Sequence, residues 1–393
     1  MTAPTIIREW ASNAAHSISS DPTKVDPGAA ISADGFTPDE EPGAEHFNHL
    51  LNQVTRNANW SYLSGLLTFA PVADLYGTPS DAHVSAASTD MGEILTVNGD
   101  KEASHVTRGD RMYQVSADAV SPTPDAIVRD LAARDDLEQH VIAVHWSGGS
   151  NAEGRYSTDG GTTWTNLPGS SGIADLNAVV YDDVNENWIG VARVQAGNLR
   201  ASYSASNEAF SDWTAAETGR TEEHNLLAVH GGLAVAVGRV DNNNVWMTYS
   251  TDGGINWTSS TEAIANSDVV GLSVDASGLF YLVIKDDGTG VIRVHTSTTG
   301  TAWALKATLT GTHSSYYKGV ASVGNVTAIA HTGDAATKTP SGLYATWDAG
   351  ATWTLIPLDP TGNAIQINAT SDRFVAYNVN QHKMYVSKLA IIA

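Results

Sequence analysis

Three aspartates that recur in one short pattern are the residues of this chain best suited to acid–base or metal chemistry. Asp159, Asp252 and Asp348 each follow a Ser or Thr by two residues and precede a Gly by two residues. Carboxylates ligate cations, and a pair of them at a fixed separation hydrolyses glycosides. A carboxylate at one point of a repeated turn has a simpler role, because Asp accepts hydrogen bonds from backbone N–H groups that the turn leaves unpaired. We therefore expect all three aspartates to be structural.

The pattern continues from the Asp to a Gly and a Trp. Gly adopts a positive φ without a steric clash, and the Trp begins the next strand, where it buries about 150–250 Å². The four clearest copies are marked by Ser157, Asp159, Gly161 and Trp164; by Ser250, Asp252, Gly254 and Trp257; by Gly300 and Trp303, with Thr298 in the place of the Asp; and by Asp348, Gly350 and Trp353. A fifth copy, from Ser204 to Trp213, is stretched and lacks the Gly.

Residues 157–164 resemble the Asp-box, also called the bacterial neuraminidase repeat, whose pattern is Ser-x-Asp-x-Gly-x-Thr-Trp. The resemblance implies a β-propeller in which each box caps the turn between the third and fourth strands of a blade, on the rim. It does not decide the function, because Asp-boxes occur in sialidases, sorting receptors, photosystem assembly factors and phage proteins.

The spacing of the copies predicts the same architecture. Successive box tryptophans, from Trp164 to Trp353, lie 44 to 50 residues apart, and pairs of apolar strands recur between them. This period is typical of propeller blades of four strands each. Six strand pairs predict six blades, with residues 111–115 supplying the strand that closes the ring. Seven blades are the alternative, with residues 80–120 forming an additional blade.

Composition excludes several classes of protein. The chain of 393 residues has no Cys, which excludes disulfides and thiolate chemistry, and its formal charge of −22 disfavours binding to nucleic acid or an anionic membrane. No apolar run is long enough for a transmembrane helix, and residues 1–10 show no secretory signal.

The N-terminal region differs from the repeats. Residues 1–36 are rich in turn-forming residues, and helical periodicity begins near Pro42, which predicts a short α-helix with Phe47, Leu50, Leu51 and Val54 on one face. This face indicates either ordinary core packing or a docking surface. Residues 20–60 resemble the N-terminal segment of tailed-phage fibre and appendage proteins. The resemblance implies that this helix anchors the protein to other virion proteins.

No catalytic constellation is visible. A sialidase needs a Tyr, a Glu, an Asp and three clamping arginines, the first in an Arg-Ile-Pro segment that this chain lacks. The histidines have no metal-ligand spacing. Aromatic residues outside the boxes are expected mostly to fill space between blades, although some could stack on sugars; the candidates are Trp146, Trp188, Trp246 and Tyr317.

These observations predict an all-β fold in three parts: an arm and helix over residues 1–64, an intermediate segment over 65–125 that supplies the closing strand, and a propeller over 126–393. The expected function is that of a structural virion component, such as a tail fibre or a capsid-attached protein, whose propeller binds host-surface glycan. We expect no enzymatic activity, no metal and no cofactor, a homo-oligomer, and a location in the virion after assembly in the host cytoplasm. The alternatives are a sialidase-like glycoside hydrolase and a non-viral propeller scaffold or assembly factor.

Overall fold

The computed structural model describes residues 69–71, 84–89, 92–97, 103–108, 111–115, 127–134, 140–146, 153–159, 161, 163–167, 176–192, 200–204, 214–217, 223–239, 244–260, 264–265, 267–286, 289–309, 319–333, 340–359, 365–370, 373–378 and 383–387. The chain divides after Thr68 into two units, and the second, Phe69–Ala393, contains every strand described below. The predicted anchor helix lies outside the described residues.

All the described elements are β-strands. In chain order they are β1 (Phe69–Pro71), β2 (Val84–Thr89), β3 (Gly92–Val97), β4 (Ala103–Arg108), β5 (Arg111–Val115), β6 (Ile127–Ala133), β7 (Val141–Trp146), β8 (Glu153–Ser157), β9 (Thr165–Asn166), β10 (Leu176–Asp182), β11 (Asn187–Ala192), β12 (Arg200–Ser204), β13 (Thr214–Glu217) and β14 (Glu223–His230). They continue with β15 (Leu233–Arg239), β16 (Val245–Ser250), β17 (Thr258–Ser259), β18 (Ser267–Val274), β19 (Phe280–Asp286), β20 (Ile292–Ser297), β21 (Ala304–Leu309), β22 (Val320–Val323), β23 (Val326–His331), β24 (Ser341–Thr346), β25 (Thr354–Asp359), β26 (Ile365–Ala369), β27 (Phe374–Asn378) and β28 (Lys383–Ser387).

Within the described residues these strands form seven antiparallel sheets of four strands each. Six sheets use consecutive strands, from β2–β5 to β22–β25, and the last has the order β1-β28-β27-β26. In the last sheet we count β26 as the first strand, because β1 lies at the opposite edge. The first strand of each sheet contacts the first strand of the next, from β2 through β6, β10, β14, β18 and β22 to β26, and β26 contacts β2 again. The sheets therefore close into a ring around an axis lined by their first strands, which is the arrangement of a β-propeller.

The expectation of six blades is wrong. Residues 84–115 form a complete sheet of their own, and β5 pairs with β4 rather than closing the ring. This sheet joins its third and fourth strands through the two residues between Arg108 and Arg111. Two residues leave no room for an Asp-box, and the sheet lies before the six strand pairs on which the prediction of six blades was based.

The ring is closed instead by the start of the second unit. Strand β1 pairs antiparallel with β28, from Phe69 opposite Ser387 to Pro71 opposite Tyr385. The last sheet thus combines three C-terminal strands with one strand from more than 290 residues earlier. Because Pro71 lies in the outermost strand, its missing N–H does not interrupt an inner ladder.

Neighbouring sheets pack through apolar side chains and through the Asp–Gly–Trp loops, which we define as residues 157–164, 250–257, 297–303 and 346–353. Trp257 packs against a cluster that combines Ile189 and Val191 of the preceding sheet with Leu227 of its own sheet. Trp303 packs in the same way between β14–β17 and β18–β21. Trp257 and Trp303 therefore bridge adjacent sheets as wedges.

The glycines of these loops permit that approach. Gly254 has φ +84°, and a Cβ at this position would lie 2.9 Å from Ile189 Cγ2 on the preceding sheet. Any larger residue would push the loop away from that sheet.

Replacing Trp257 with Ala should lower the free energy of unfolding by about 2–4 kcal/mol, because it removes a partly buried indole from between two sheets. Ile255→Ala is the matched control in the same loop: its side chain is 44% exposed, so a change of at most about 0.5 kcal/mol is expected. Denaturant titration of both variants measures the difference. Equal losses would show that Trp257 is not a wedge.

Truncation should distinguish the closing strand from the segment before it. Removing residues 1–60 leaves β1 in place, so the thermal midpoint of the propeller should not change. Removing residues 1–72 exposes the edge of β28 and should cost about 2–3 kcal/mol, at roughly 1 kcal/mol for each lost ladder hydrogen bond. The two truncated proteins can be compared by circular dichroism melting, and identical midpoints would contradict the assignment of β1.

Candidate functional site

The Asp–Gly–Trp loops are closed by their own side chains. In residues 157–164, Ser157 Oγ accepts a hydrogen bond from Gly161 N at 2.8 Å, and Asp159 Oδ1 accepts one from Thr163 N at 2.8 Å. Asp159 Oδ2 accepts another from Thr163 Oγ1 at 2.6 Å, and the Trp164 indole N–H donates to Gly161 O at 2.9 Å. The carboxylate satisfies N–H and O–H groups within the turn, which supports the predicted structural role.

The loops at 250–257 and 346–353 repeat these bonds. Asp252 Oδ1 accepts from Asn256 N at 2.9 Å, and Asp348 Oδ1 accepts from Thr352 N at 2.8 Å. Partial burial raises the pKa of Asp252, but hydrogen bonds from the backbone and side chain of Asn256 and from Ser250 outweigh it, so the pKa is lowered overall. These carboxylates are held ionised in positions where their lone pairs are already used.

In the copy at 297–303, the residue at the Asp position differs from the predicted Thr298. Ser297 Oγ accepts from Gly300 N at 3.0 Å, so Ser297 takes the place of Ser157. Thr299, rather than Thr298, then occupies the Asp position, where its Oγ1 lies 2.8 Å from Thr301 Oγ1. This loop has one residue fewer between its Ser and its Trp than the other three loops. Counting back from Gly300 at the usual spacing therefore gives Thr298 instead of Thr299.

These loops share one end of the ring with the turns between the first and second strands. In β14–β17, Leu233 at the start of β15 lies opposite His230, and the adjacent Ala234 lies opposite Ser250. Hydrogen bonds join neighbouring sheets at this end of the ring. Asn187 Nδ2 donates to Gly253 O at 3.2 Å, and Asn185 Nδ2 donates to Gly232 O at 3.4 Å.

A cavity of about 320 Å³ lies on the axis of the ring. Its described lining comes from the first strands β6, β10, β14, β18, β22 and β26 and consists mainly of Ala, Val and Leu. Asp130 is the one charged residue in this described lining, and its Oδ2 accepts a hydrogen bond from Val179 N at 3.1 Å. Ser273, Ser322, Asn368 and Tyr181 supply the other polar groups.

No sequence motif predicts this cavity. Ser273 and Ser322 each have apolar neighbours on both sides in their strands, and their one signal is a polar residue where the pattern predicts an apolar one. Which residues face the axis depends on the register of strands in different sheets, and local sequence does not fix that register.

The proposed stacking residues are not brought together. The side chain of Trp188 is fully buried, packing with Ile142 and Val179 between two sheets, so it cannot stack on a sugar. Trp246 is half-buried near the start of β16, and Trp146 ends β7, so both lie at the end of the sheets opposite the Asp–Gly–Trp loops. Tyr317 lies outside the described residues, as do Phe47, Leu50, Leu51 and Val54.

The described residues contain no cluster of three or more His, Asp or Glu side chains placed to hold a metal ion. Among the same residues, no helix is long and apolar enough to cross a membrane.

His331 is the most buried histidine of the described residues. Its side chain lies in β23 with 1% of the residue surface exposed, next to the ring of Tyr344 at a centroid distance of 5.1 Å. Neither ring nitrogen has a hydrogen-bond partner in the described structure, and burial lowers the pKa of the imidazole below 6.5. Charging this residue therefore opposes folding.

Comparison with solved structures supports the fold. The chain is similar to YCF48 bound to a D1 peptide, with a TM-score of 0.55 and 12% identity over 81% of this chain and 94% of that one. It is also similar to the SapL1 lectin in complex with α-methyl fucoside, with a TM-score of 0.50 and 13% identity over 71% and 96%. A third similar structure is a PL25 ulvan lyase bound to a glucuronyl-rhamnose sulfate unit, with a TM-score of 0.52 and 10% identity over 82% and 96%.

The fold is an all-β propeller. No protein-family model matches the sequence, and no curated protein matches it. At these identities the similarity establishes the architecture alone.

Stability should decrease as the pH falls through about 6.5, because the unfolded chain then binds a proton that folded His331 does not. The stability that the neutral imidazole contributes is complete above that pH. It is lost as the pH falls toward the lower pKa that His331 has in the folded state. A tenfold difference in proton affinity is worth about 1.4 kcal/mol. His331→Leu should reduce the loss of stability between pH 7.5 and pH 5.5, measured by urea titration.

His230→Leu is the control for this prediction, since His230 is exposed. The control should keep the pH dependence of the parent protein. If both variants show the same dependence as the parent, burial of His331 does not contribute to acid sensitivity.

Proposed function

We propose that this chain is a structural component of a tailed-phage virion, and that its propeller binds a host-surface glycan without cleaving it. The observation that carries the proposal is the division after Thr68, which separates a segment that resembles phage attachment segments from a propeller that holds all the described strands. An anchor followed by a separate rigid domain is the layout that a virion-mounted binding protein needs.

The glycan part of the proposal is supported by the similar structures and by charge. The SapL1 lectin and the ulvan lyase are propellers with a sugar bound, which makes the fold a suitable frame for carbohydrate. A formal charge of −22 disfavours anionic partners such as nucleic acid. Neutral polysaccharide at a cell surface offers ring faces and hydroxyls that do not depend on charge.

Binding without cleavage is favoured by the described lining of the axial cavity. Glycoside hydrolysis requires two carboxyl groups about 5–10 Å apart, one of them free to donate a proton. The cavity offers Asp130, whose carboxylate already accepts a bond from Val179 N. The Asp–Gly–Trp carboxylates are likewise engaged in their own turns.

Virion proteins are repeated by symmetry, so the functional form is proposed to be a homo-oligomer held on the particle through the N-terminal segment, after assembly in the host cytoplasm. Repetition would also raise the avidity for a repeating polysaccharide without any new contact.

A variant lacking residues 1–60 tests the two parts of the proposal separately. Because it keeps β1, it should fold, bind purified host polysaccharide as the full chain does, and fail to enter particles. Mass spectrometry of purified particles and polysaccharide pull-down are the two measurements, with the full chain as control.

Each other outcome is informative. Incorporation of the truncated chain would contradict the anchor. Release of new reducing ends from the polysaccharide would favour a glycoside hydrolase. If the full chain neither enters particles nor binds polysaccharide, the proposal fails and a non-viral assembly factor becomes the better hypothesis.

A further inference from the structure

Two hydroxyls lie side by side in the wall of the axial cavity. Ser273 of β18 and Ser322 of β22 are on neighbouring first strands, and both are half-buried. Ser273 Oγ donates to Ser322 Oγ at 2.8 Å, so the bond spans two sheets. The surrounding wall is mainly alkyl, which makes this pair a distinct polar strip.

The strip is the exposed end of a longer chain of hydrogen bonds. Ser322 Oγ lies 2.8 Å from Oγ1 of the fully buried Thr327, and Thr327 is hydrogen-bonded to the Tyr281 hydroxyl. Tyr281 Oη then donates to Asp275 Oδ2 at 3.1 Å. The chain ends at a carboxylate that also accepts from Leu279 N and from the backbone N and hydroxyl of Ser277.

A chain that ends at a carboxylate has a fixed direction. Each hydroxyl has one proton to donate, and the acceptor at Asp275 orients all the protons away from the cavity, from Ser273 through Ser322, Thr327 and Tyr281. Ser273 Oγ therefore has its proton engaged and can offer the cavity acceptor lone pairs. A ligand at this wall must donate a hydrogen bond.

The rest of the described lining limits what else the ligand carries. Asp130 is the one charged side chain of this lining and it is acidic, so an anionic ligand would lose hydration without an ionic partner. A cationic ligand would meet only Asp130, which is 8% exposed and already accepts from Val179 N. A volume of about 320 Å³ is near the lower end of the range of ligand pockets, about 300–1,000 Å³, and suits one sugar unit rather than a chain.

The geometry points to a single neutral sugar as the ligand of the axial cavity, held by a hydroxyl that donates to Ser273, with a 6-deoxyhexose preferred over its parent hexose. The preference follows from the alkyl wall formed by residues such as Ala132, Ala228 and Ala321, against which a methyl group buries favourably. The hydroxyl of a parent hexose at that place would lose its hydrogen bonds to water. This inference rests on the proposed glycan-binding function and names its site.

The test is a calorimetric or saturation-transfer titration of the full chain with L-fucose and L-rhamnose, each against its parent sugar, L-galactose and L-mannose. The 6-deoxy sugar should bind about tenfold more tightly within each pair, as an unpaired buried hydroxyl requires. Ser273→Ala should weaken binding about five- to tenfold, and Ala228→Phe, which fills the cavity, should abolish it.

Ser259→Ala is the matched control, because Ser259 is a half-buried serine in the outermost strand β17. It should bind sugar as the parent does, and circular dichroism melting should show each variant folded. If Ala228→Phe does not fold, Ser322→Ala takes its place and should weaken binding as Ser273→Ala does.

The outcomes separate this inference from the proposed function. Polysaccharide binding that survives both Ser273→Ala and Ala228→Phe would overturn the cavity site and leave glycan binding intact. Equal affinity for deoxy and parent sugars, or preferential binding of a cationic ligand, would overturn the chemical assignment. If the parent chain binds no polysaccharide, both the cavity site and the proposed glycan-binding function are wrong.

Discussion

The packing of one sheet's loop onto the sheet before it is the interaction on which the ring depends. Each sheet of four strands is too small to bury its own faces, so it gains stability only from its neighbours. The loop tryptophans supply this contact at the outer end of the interface: Trp353, for example, meets the ring of Tyr281 edge-on at 6.5 Å between centroids. Trp257, Trp303 and Trp353 thus occupy the same kind of position at three successive interfaces between sheets.

Such close packing requires that the backbone polar groups of every turn be satisfied locally. Three of the loops achieve this with a Ser or Thr hydroxyl and a carboxylate, and the loop at 297–303 does so with the hydroxyls of Ser297 and Thr299. A carboxylate also closes two of the turns between first and second strands. Asp182 is fully buried and accepts from Val184 N and from Asn185 Nδ2, while Asp275 accepts from four groups in and beside its turn. The carboxylates of these loops and turns are therefore engaged by groups of their own segments.

Periodic features of the fold could be predicted from sequence, and features that depend on pairing distant segments could not. The recurring Asp, Gly and Trp predicted the turns, because each turn is encoded within eight residues. The spacing of 44 to 50 residues between the tryptophans predicted the four-strand unit and the ring. The sheet at 84–115 was predicted only as part of the seven-blade alternative, because two residues join its third and fourth strands where four other sheets have the loop. The closing strand Phe69–Pro71 was not predicted, because three residues carry no periodicity. Trp188 was proposed as a sugar-stacking residue for a related reason. The sequence does not show whether a Trp in a strand lies on a buried or an exposed face, and only the packing of two sheets decides this.

The axial cavity arises from the same packing of sheets, and no local sequence motif predicts it. The first strands of the sheets meet at the axis, and small side chains in the described lining, such as Ala132, Ala228 and Ala321, leave space there. Polar groups in that space must be satisfied, and the bond from Ser273 to Ser322 does so by joining two sheets and continuing inward to Asp275. The arrangement stabilises the interface and, as a direct consequence, fixes the direction of the hydrogen bonds at the cavity wall. A site formed in this way is as rigid as the ring itself, so its selectivity would come from the shape and hydrogen-bond polarity already present in the unbound protein.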